Sequence, residues 1–204
     1  MSLFSFFGPS KAEIWSQMAA EIGAEYRAGG WLKGDGVIFR HGEWSLVLDT
    51  YTVRSKNSST TYTRLRAPFV NKDGLYFKIY REGVFSSVGK FFGMQDLEIG
   101  DPYFDEQFVI KGNDHQQLVR LLADDELKEL IREQSRITLE IRDDEGWFGA
   151  DFADGVDELY FCRVGVMRDV EELKALFELF CCVLNRLVRI DSAYEDDPQV
   201  TLKL

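Results

Sequence analysis

Four basic residues and two tyrosines are interleaved over a short stretch of this sequence. They are Arg54, Lys56, Arg64 and Arg66, with Tyr51 and Tyr62 among them. Basic side chains interleaved with aromatic rings can bind phosphate groups or stack on bases. The four basic residues are therefore the candidate ligand-binding residues of the sequence.

A β-hairpin offers a structural explanation for the same residues. If its turn is centred on residues 56–59, Asp49 lies opposite Arg66 and Tyr51 lies opposite Arg64. These would be a cross-strand ion pair and a cation–π contact, both of which are common in sheets. The other face would hold an apolar set, Leu46, Leu48, Leu65, Ala67 and Phe69. We favour structural arginines over a ligand site and treat this register as a hypothesis.

An acidic stretch follows residue 142 and could suggest calcium binding. Its acidic residues are Asp143, Asp144, Glu145, Asp151, Asp154, Asp157 and Glu158. Calcium loops place oxygen ligands at alternate positions around a central Gly and end with a Glu, and this stretch does not. We interpret it as solvated turns between strands and predict no metal site.

The two histidines are the candidates for general base chemistry. His41 lies in what reads as a turn between strands, and His115 follows Asp114 in the first turn of an expected helix. Neither belongs to a nucleophile, metalloprotease or phosphate-loop motif. We therefore nominate no catalytic residue and no cofactor. A hydrolase or transferase that pairs one of these histidines with a carboxylate through the fold stays open.

Charge is distributed unevenly between the two halves of the 204 residues. Residues 1–90 hold 12 Lys and Arg against 8 Asp and Glu, whereas residues 91–204 hold 12 against 27, and the net charge is -11. Because nucleic-acid binding depends on Lys and Arg, we predict no nucleic-acid partner. Hydrophobic residues make up 45% of the chain, which is typical of a globular domain with a core.

Cysteine usage and hydropathy favour a soluble, cytoplasmic protein. Cys162, Cys181 and Cys182 have no metal-type spacing, and we interpret them as small core residues in a reducing compartment. No segment is apolar for the roughly 18 residues that a membrane span requires. The phenylalanine-rich residues 1–8 lack the basic region of a signal peptide, and could touch a membrane or partner or pack on the fold.

Local patterns predict an α+β fold, with antiparallel sheet packed against an N-terminal helix and a long C-terminal helix. Ser10 and Glu13 have capping-box spacing before a helix over residues 11–27. Strands are expected at residues 37–39, 44–53, 60–66 and 75–80, and the short gaps favour hairpins. Further strands are expected at 108–110, 137–141, 147–148 and 159–164, with helices capped by Asp114 and by Asp124 or Asp125. We expect one domain and leave open a lobe boundary near residue 95.

The last helix has the strongest pattern. Asp169 and Glu172 stand at capping distance, and apolar residues then recur at steps of three and four up to Val188. So broad an apolar surface predicts packing into the core. A dimer seam is the alternative, and a homodimer stays open. The residues after Ile190 are expected to be a solvated end.

Residues 100–114, GDPYFDEQFVIKGND, are followed by leucine-rich helices. Over residues 96–135 the chain resembles bacterial proteins with an F-D/N-x-x-F element, a strand and an Asp-capped helix. No activity is attached to that resemblance, so it implies no site residue. The spacing of Phe104 and Phe108 indicates that both anchor one side of the preceding connector.

These observations favour a non-catalytic cytoplasmic protein, bacterial in style, that acts through contact with a protein or a surface. The aromatic content of 14% and the two-signed charge distribution motivate this hypothesis. A small-molecule or lipid-binding module, with a cavity between the sheet and the last helix, is the first alternative. Peripheral membrane contact through Phe4, Phe6 and Phe7 also stays open.

Overall fold

Alternating apolar and polar residues form the strands of this chain, and apolar residues at steps of three and four form its longest helix. A computed structural model describes residues 8–30, 34–56, 58–81, 95–143 and 152–204. The helices are α1 (Lys11–Ile22), α2 (Pro102–Gln107), α3 (His115–Leu121), α4 (Asp125–Glu133) and α5 (Val170–Arg189). The strands are β1 (Glu25–Arg27), β2 (Gly36–His41), β3 (Trp44–Arg54), β4 (Ser59–Asn71), β5 (Phe77–Arg81), β6 (Gln95–Leu97), β7 (Phe108–Gly112), β8 (Thr138–Arg142), β9 (Val156–Val164) and β10 (Ala193–Tyr194).

The described strands form one antiparallel sheet, so the predicted α+β class is confirmed. Its order is β1-β2-β3-β4-β9-β8-β5-β7-β6, and β10 pairs with β4. The prediction that β4 and β5 form a hairpin is wrong, because β9 and β8 lie between them. The sheet thus includes strands from both sides of residue 95, and the lobe boundary there stays a prediction.

Helix α1 begins as predicted and ends earlier. The Ser10 Oγ accepts from the Glu13 N–H at 3.2 Å, and Glu13 Oε2 accepts from the Ser10 N–H at 2.7 Å. The helix ends at Ile22 and is capped by Gly23, whose φ of 73° is in the left-handed region that favours glycine. The predicted end at residue 27 is wrong because residues 25–27 pair with β2 instead.

The hairpin of β3 and β4 has a different register from the one predicted. Asp49 lies opposite Arg64 and Tyr51 opposite Tyr62, so the strands are shifted by two residues. A shift of two leaves every side chain on its original face, because side chains in a strand alternate with a period of two. The predicted apolar set therefore remains together and is buried.

The core lies between that face of the sheet and the helices, and α5 packs in it as predicted. The α5 residues Leu173, Leu176, Phe177, Leu179, Phe180, Val183, Leu184 and Leu187 are buried. The apolar face that could have formed a dimer seam thus packs within the chain itself. Asp169, Asp114 and Asp124 each accept a backbone N–H as helix N-caps, as their positions predicted.

The region resembling the F-D/N-x-x-F proteins contains one helix that the sequence did not indicate. Asp101 caps α2, and Phe104 and Phe108 stack with their ring centroids 4.6 Å apart in the core. Residues 95–97, at the position where we left open a lobe boundary, form β6. The strand predicted at residues 147–148 and the phenylalanine-rich residues 1–7 lie outside the described residues.

Candidate interaction surface

The face of the sheet opposite the core, here called the outer face, carries charged and aromatic side chains. In strand register, Asp49 lies beside Arg64 and Arg64 beside Cys162. The neighbouring row runs from Arg66 through Tyr160 and Glu140 to Lys78, as its pairings show. The alternation that makes the core face apolar therefore collects the polar residues of five strands on the other side.

Two of the four candidate ligand-binding residues are engaged with Asp49. Arg64 donates from Nε to Asp49 Oδ1 at 2.6 Å and from Nη2 to Oδ2 at 3.0 Å. Arg66, only 1% exposed, donates from Nη2 to Asp49 Oδ2 at 2.8 Å. These contacts are the structural role that we favoured, and the predicted ion pair of Asp49 with Arg66 is present, although the residue opposite Asp49 in register is Arg64.

The other two candidate residues lie elsewhere on the hairpin. Arg54 pairs with Ser59 and by alternation is on the opposite face from Arg64, while Lys56 is in the turn. Both are exposed. The structure does not bring the four basic side chains together, and their binding of a ligand stays a prediction.

Tyr51 and Tyr62 form an ordered aromatic pair on the outer face. Their rings stack with centroids 5.0 Å apart and an interplanar angle of 12°. The guanidinium of Arg64 lies 5.1 Å from the centroid of the Tyr51 ring, a cation–π contact. Burial, with the hydrogen bond to Cys162 at 3.4 Å, raises the pKa of Tyr51 to about 12. The phenol is therefore neutral at physiological pH.

Two valines beside this pair are exposed. Val53 follows Tyr51 by two residues on the same face and is 51% exposed. Val164 follows Arg163, the partner of Thr63, and therefore lies beside Tyr62; it is 55% exposed. We call Tyr51, Val53, Tyr62, Arg64 and Val164 the hairpin surface. Sequence reasoning missed Val53 and Val164 because nothing local distinguishes an exposed valine in a strand from a buried one.

Further along the outer face, charged side chains are buried. Glu140, with no exposed surface, is paired with Lys78 Nζ at 3.2 Å and with Arg142. The Arg142 guanidinium lies 3.4 Å from the centroid of the Tyr160 ring. Burial raises the pKa of Tyr160, so this phenol is also neutral. Ion pairing with Lys78 and Arg142 offsets the cost of burying the Glu140 carboxylate, as is general for buried charges.

The residues after α5 are not a solvated end, contrary to the prediction. Strand β10 pairs with β4 through Ala193 and Asn71, and only residues 194–197 form an exposed stretch before Pro198 is buried. Beyond it, the backbone carbonyl of Lys203 accepts from Arg66 Nη2 at 2.9 Å. The chain therefore returns onto the outer face after leaving the helix.

The two histidines have different hydrogen-bond partners. His41 Nε2 is 3.0 Å from Asn185 Oδ1, and His115 Nε2 is 2.8 Å from the Glu98 carbonyl. In the part of the chain that the structure describes, neither of these hydrogen bonds involves a carboxylate. Within the same residues, no group of three or more His, Cys, Asp or Glu side chains is arranged to hold a metal ion.

The cysteines are free and half-buried rather than fully buried as predicted. Burial raises the pKa of Cys181 to about 12 and that of Cys182 to about 11. Both thiols are therefore protonated near neutral pH and are poor nucleophiles. Among the described residues, no helix is both long and apolar enough to cross a membrane.

These features define an α+β protein whose antiparallel sheet has a helix-covered apolar face and a charged outer face. No protein-family model matches the chain, and no curated protein matches it. Its fold is similar to the crystal structure of the mycobacterial trehalose monomycolate transport factor A, with a TM-score of 0.50 and 8% sequence identity. The match covers 88% of this chain and 95% of that one, and at this identity it concerns the fold alone.

Proposed function

We propose that this chain is a non-catalytic cytoplasmic protein that acts through a protein contact made by the hairpin surface. The observation that carries the proposal is the position of Val53 and Val164 beside the stacked pair of Tyr51 and Tyr62. Two exposed valines next to two half-buried tyrosines form an apolar area at the free end of the longest hairpin. Clustered apolar area of this kind marks interaction sites more often than single exposed residues do.

The residue types suit a protein partner. Tyrosine and arginine are enriched at the energetic centres of protein interfaces, and here they occur together. Tyr51 is already fixed by its stack on Tyr62, and Arg64 by its two hydrogen bonds to Asp49. Since these side chains are ordered before binding, little additional side-chain entropy is lost when a partner binds.

Charge favours a partner with acidic groups around its apolar contact. Arg54 and Lys56 are exposed at the end of the hairpin, Lys56 in the turn beside the hairpin surface and Arg54 on the opposite face. Complementary charge at the rim of an interface accelerates association and selects among partners. We therefore propose a protein whose apolar contact is bordered by Asp or Glu, with Lys56 at the rim of the contact.

A lipid-binding role is the alternative that the same experiment can test. The similar crystal structure is described as that of a trehalose monomycolate transport factor, and a lipid-binding module was among our sequence-based alternatives. That alternative placed a cavity between the sheet and the last helix. In the described structure this layer is filled by the buried side chains of α5 and the facing strands.

Site-specific photo-crosslinking tests the proposal. A photoreactive amino acid is placed at position 53 or 164 of the full chain, and at position 103 as a matched control. Tyr103 is 63% exposed and lies on α2, away from the hairpin. We expect one protein to be crosslinked from positions 53 and 164 and not from position 103.

The purified partner then allows a quantitative check. Val53→Asp places a charge in the apolar contact and should weaken binding at least about tenfold, whereas Tyr103→Asp should not change it. Crosslinking to phospholipid from positions 53 and 164, with binding to anionic vesicles that Val53→Asp abolishes, would support the lipid alternative instead. Equal crosslinking from all three positions would also overturn the proposal.

A further inference from the structure

Residues 197–204, here called the crossing segment, lie on the outer face over β2, β3 and β4. The carbonyl of Lys203 accepts from Arg66 on β4, and the Leu204 side chain lies on Gly36 of β2. Gly36 is on the outer face because Val37, its neighbour, pairs with the core residue Leu48. The segment forms no strand of its own, and its last three residues alternate in burial as an extended chain does, with Leu202 buried, Lys203 exposed and Leu204 half-buried.

The crossing segment is attached to the sheet by two leucine side chains and by one hydrogen bond from Arg66. Leu202 is 8% exposed, and a Cβ built on Gly36 would come within 2.2 Å of Leu204 Cδ2. The absence of a side chain at position 36 thus creates the space that Leu204 fills. Between the two leucines, Arg66 binds the Lys203 carbonyl at 2.9 Å. The site therefore fits an extended peptide with the pattern Leu-x-Leu.

The crossing segment leaves space on both of its sides. One groove, of about 660 Å³, is lined by Ile38, Arg40 and Val47 of the outer face, and another, of about 500 Å³, by Val70 and Val156. The segment forms a wall of each groove through Asp197, Gln199, Val200 and Thr201. A segment bounded by grooves on both sides is less tightly packed than a core strand, in which neighbours surround each residue.

The first residues of the crossing segment form a strained turn. Gln199 has a φ of 56°, in the left-handed region, which is unfavourable for a residue other than glycine. The turn is held by Asp197 Oδ1, which accepts from the Gln199 N–H at 2.8 Å. A chain that leaves this turn in an extended conformation relieves the strain, and strained hinges favour exchange of segments between copies.

We propose that the surface beneath the crossing segment is a peptide-binding groove, and that residues 200–204 of a second copy of this chain occupy it by exchange, with the turn at Gln199 as the hinge. The exchanged segment makes the same contacts with Gly36 and Arg66 as the chain's own segment does. Because identical contacts are made in both states, exchange loses no native contact outside the hinge and relieves the strain at Gln199. This contact is separate from the hairpin surface and does not depend on the function proposed above.

Peptide binding to a shortened chain is the first test. A chain that ends at Asp196 is titrated with a fluorescein-labelled peptide of residues 195–204, and its fold is checked by near-ultraviolet circular dichroism. We expect saturable binding to the shortened chain and at least about tenfold weaker binding to the full chain, whose groove is occupied. A peptide with Leu202→Ala and Leu204→Ala should bind at least about tenfold more weakly than the native peptide.

A second design covers the case in which the shortened chain does not fold. A protease site is inserted between Glu195 and Asp196 of the full chain and is cut after folding, and the labelled peptide is then added. Replacement of the cut segment by the labelled peptide supports the groove. A folded protein that takes up no peptide, in either design, overturns it.

Native mass spectrometry of the full chain tests whether a second copy of the chain occupies the groove. We expect a dimer that increases with protein concentration and is absent from the shortened chain. If the peptide binds while the full chain remains monomeric at every concentration, or if the shortened chain dimerises equally, exchange between copies is overturned.

Discussion

Asp49 and Arg66 form a buried ion pair across two strands, with Arg66 Nη2 2.8 Å from Asp49 Oδ2. The two residues are not directly opposite in register, since Asp49 lies opposite Arg64. One carboxylate therefore holds two guanidinium groups, and the more buried of these also binds the crossing segment at Lys203. Through Arg66, the pair thus joins the β3–β4 hairpin to Lys203, which lies 137 residues further along the chain.

Removal of the shared carboxylate should destabilise the fold strongly. In Asp49→Asn, two guanidinium groups lose their charged partner, and we expect the free energy of unfolding to fall by about 3 kcal/mol or more. Asp96→Asn is the matched control, since the Asp96 side chain, paired with Lys111, is 74% exposed and exposed pairs contribute about 0–1 kcal/mol. Urea unfolding measures both. Similar losses in the two variants would contradict the assigned role of Asp49.

Asp157 should make stability depend on pH in the direction opposite to most carboxylates. Burial raises the pKa of Asp157, although hydrogen bonds from Asn71 at 2.5 Å and Tyr76 at 2.9 Å oppose the shift. Because the folded state then binds this proton more tightly than the unfolded state, stability from this group is greatest below the unfolded pKa. It is lost as pH rises through the raised folded pKa.

Two variants test the direction in which Asp157 makes stability change with pH. Asp157→Asn cannot titrate, so the difference in unfolding free energy between the unchanged protein and this variant should fall as pH rises through that window. Tyr76→Phe removes a hydrogen bond that favours the charged form and should extend the fall to higher pH. Denaturant unfolding across a pH series measures the difference. A difference that stays constant with pH would refute the assignment to Asp157.

The close approach of α3 to β7 depends on a glycine. A Cβ on Gly112 would come within 2.2 Å of Leu118 Cδ1, so we expect Gly112→Ala to cost about 1–3 kcal/mol by overpacking. In the Leu118→Ala background this added cost should fall by about 0.5 kcal/mol or more, because the clashing methyl group is absent. Gly30→Ala is the control, since a Cβ there meets no heavy atom within 4 Å. Additive effects in the double-mutant cycle would contradict this contact.

Local patterns predicted helix starts and buried faces better than they predicted long-range pairing. The Ser10–Glu13 capping box and the apolar stripe of α5 act over a few residues, and both are present. The hairpin register was wrong by two residues because the turn length, which sets it, has no strong signal in Lys56 and its neighbours. The buried face was nevertheless predicted correctly, since alternation does not change with a shift of two.

The outer face could not be predicted in the same way. Glu140 and Arg66 are charged, and charged residues in strands usually face solvent, yet both are buried here. Their burial depends on partners from distant strands and, for Arg66, on residue 203, none of which is apparent from local sequence. The same limitation explains why the residues after α5 were expected to be solvated. The resemblance of residues 96–135 to bacterial proteins stays a prediction.

The central position of β9 has a consequence for synthesis of the protein. Strand β4 ends at Asn71 but pairs with β9, whose first residue is Val156, and β9 also connects β4 to β8. While the chain grows from its N-terminus, β4 therefore presents an unpaired edge until β9 has emerged, and unpaired edges are templates for aggregation. Nascent chains stalled before residue 156 should be the form of this protein that most needs a chaperone.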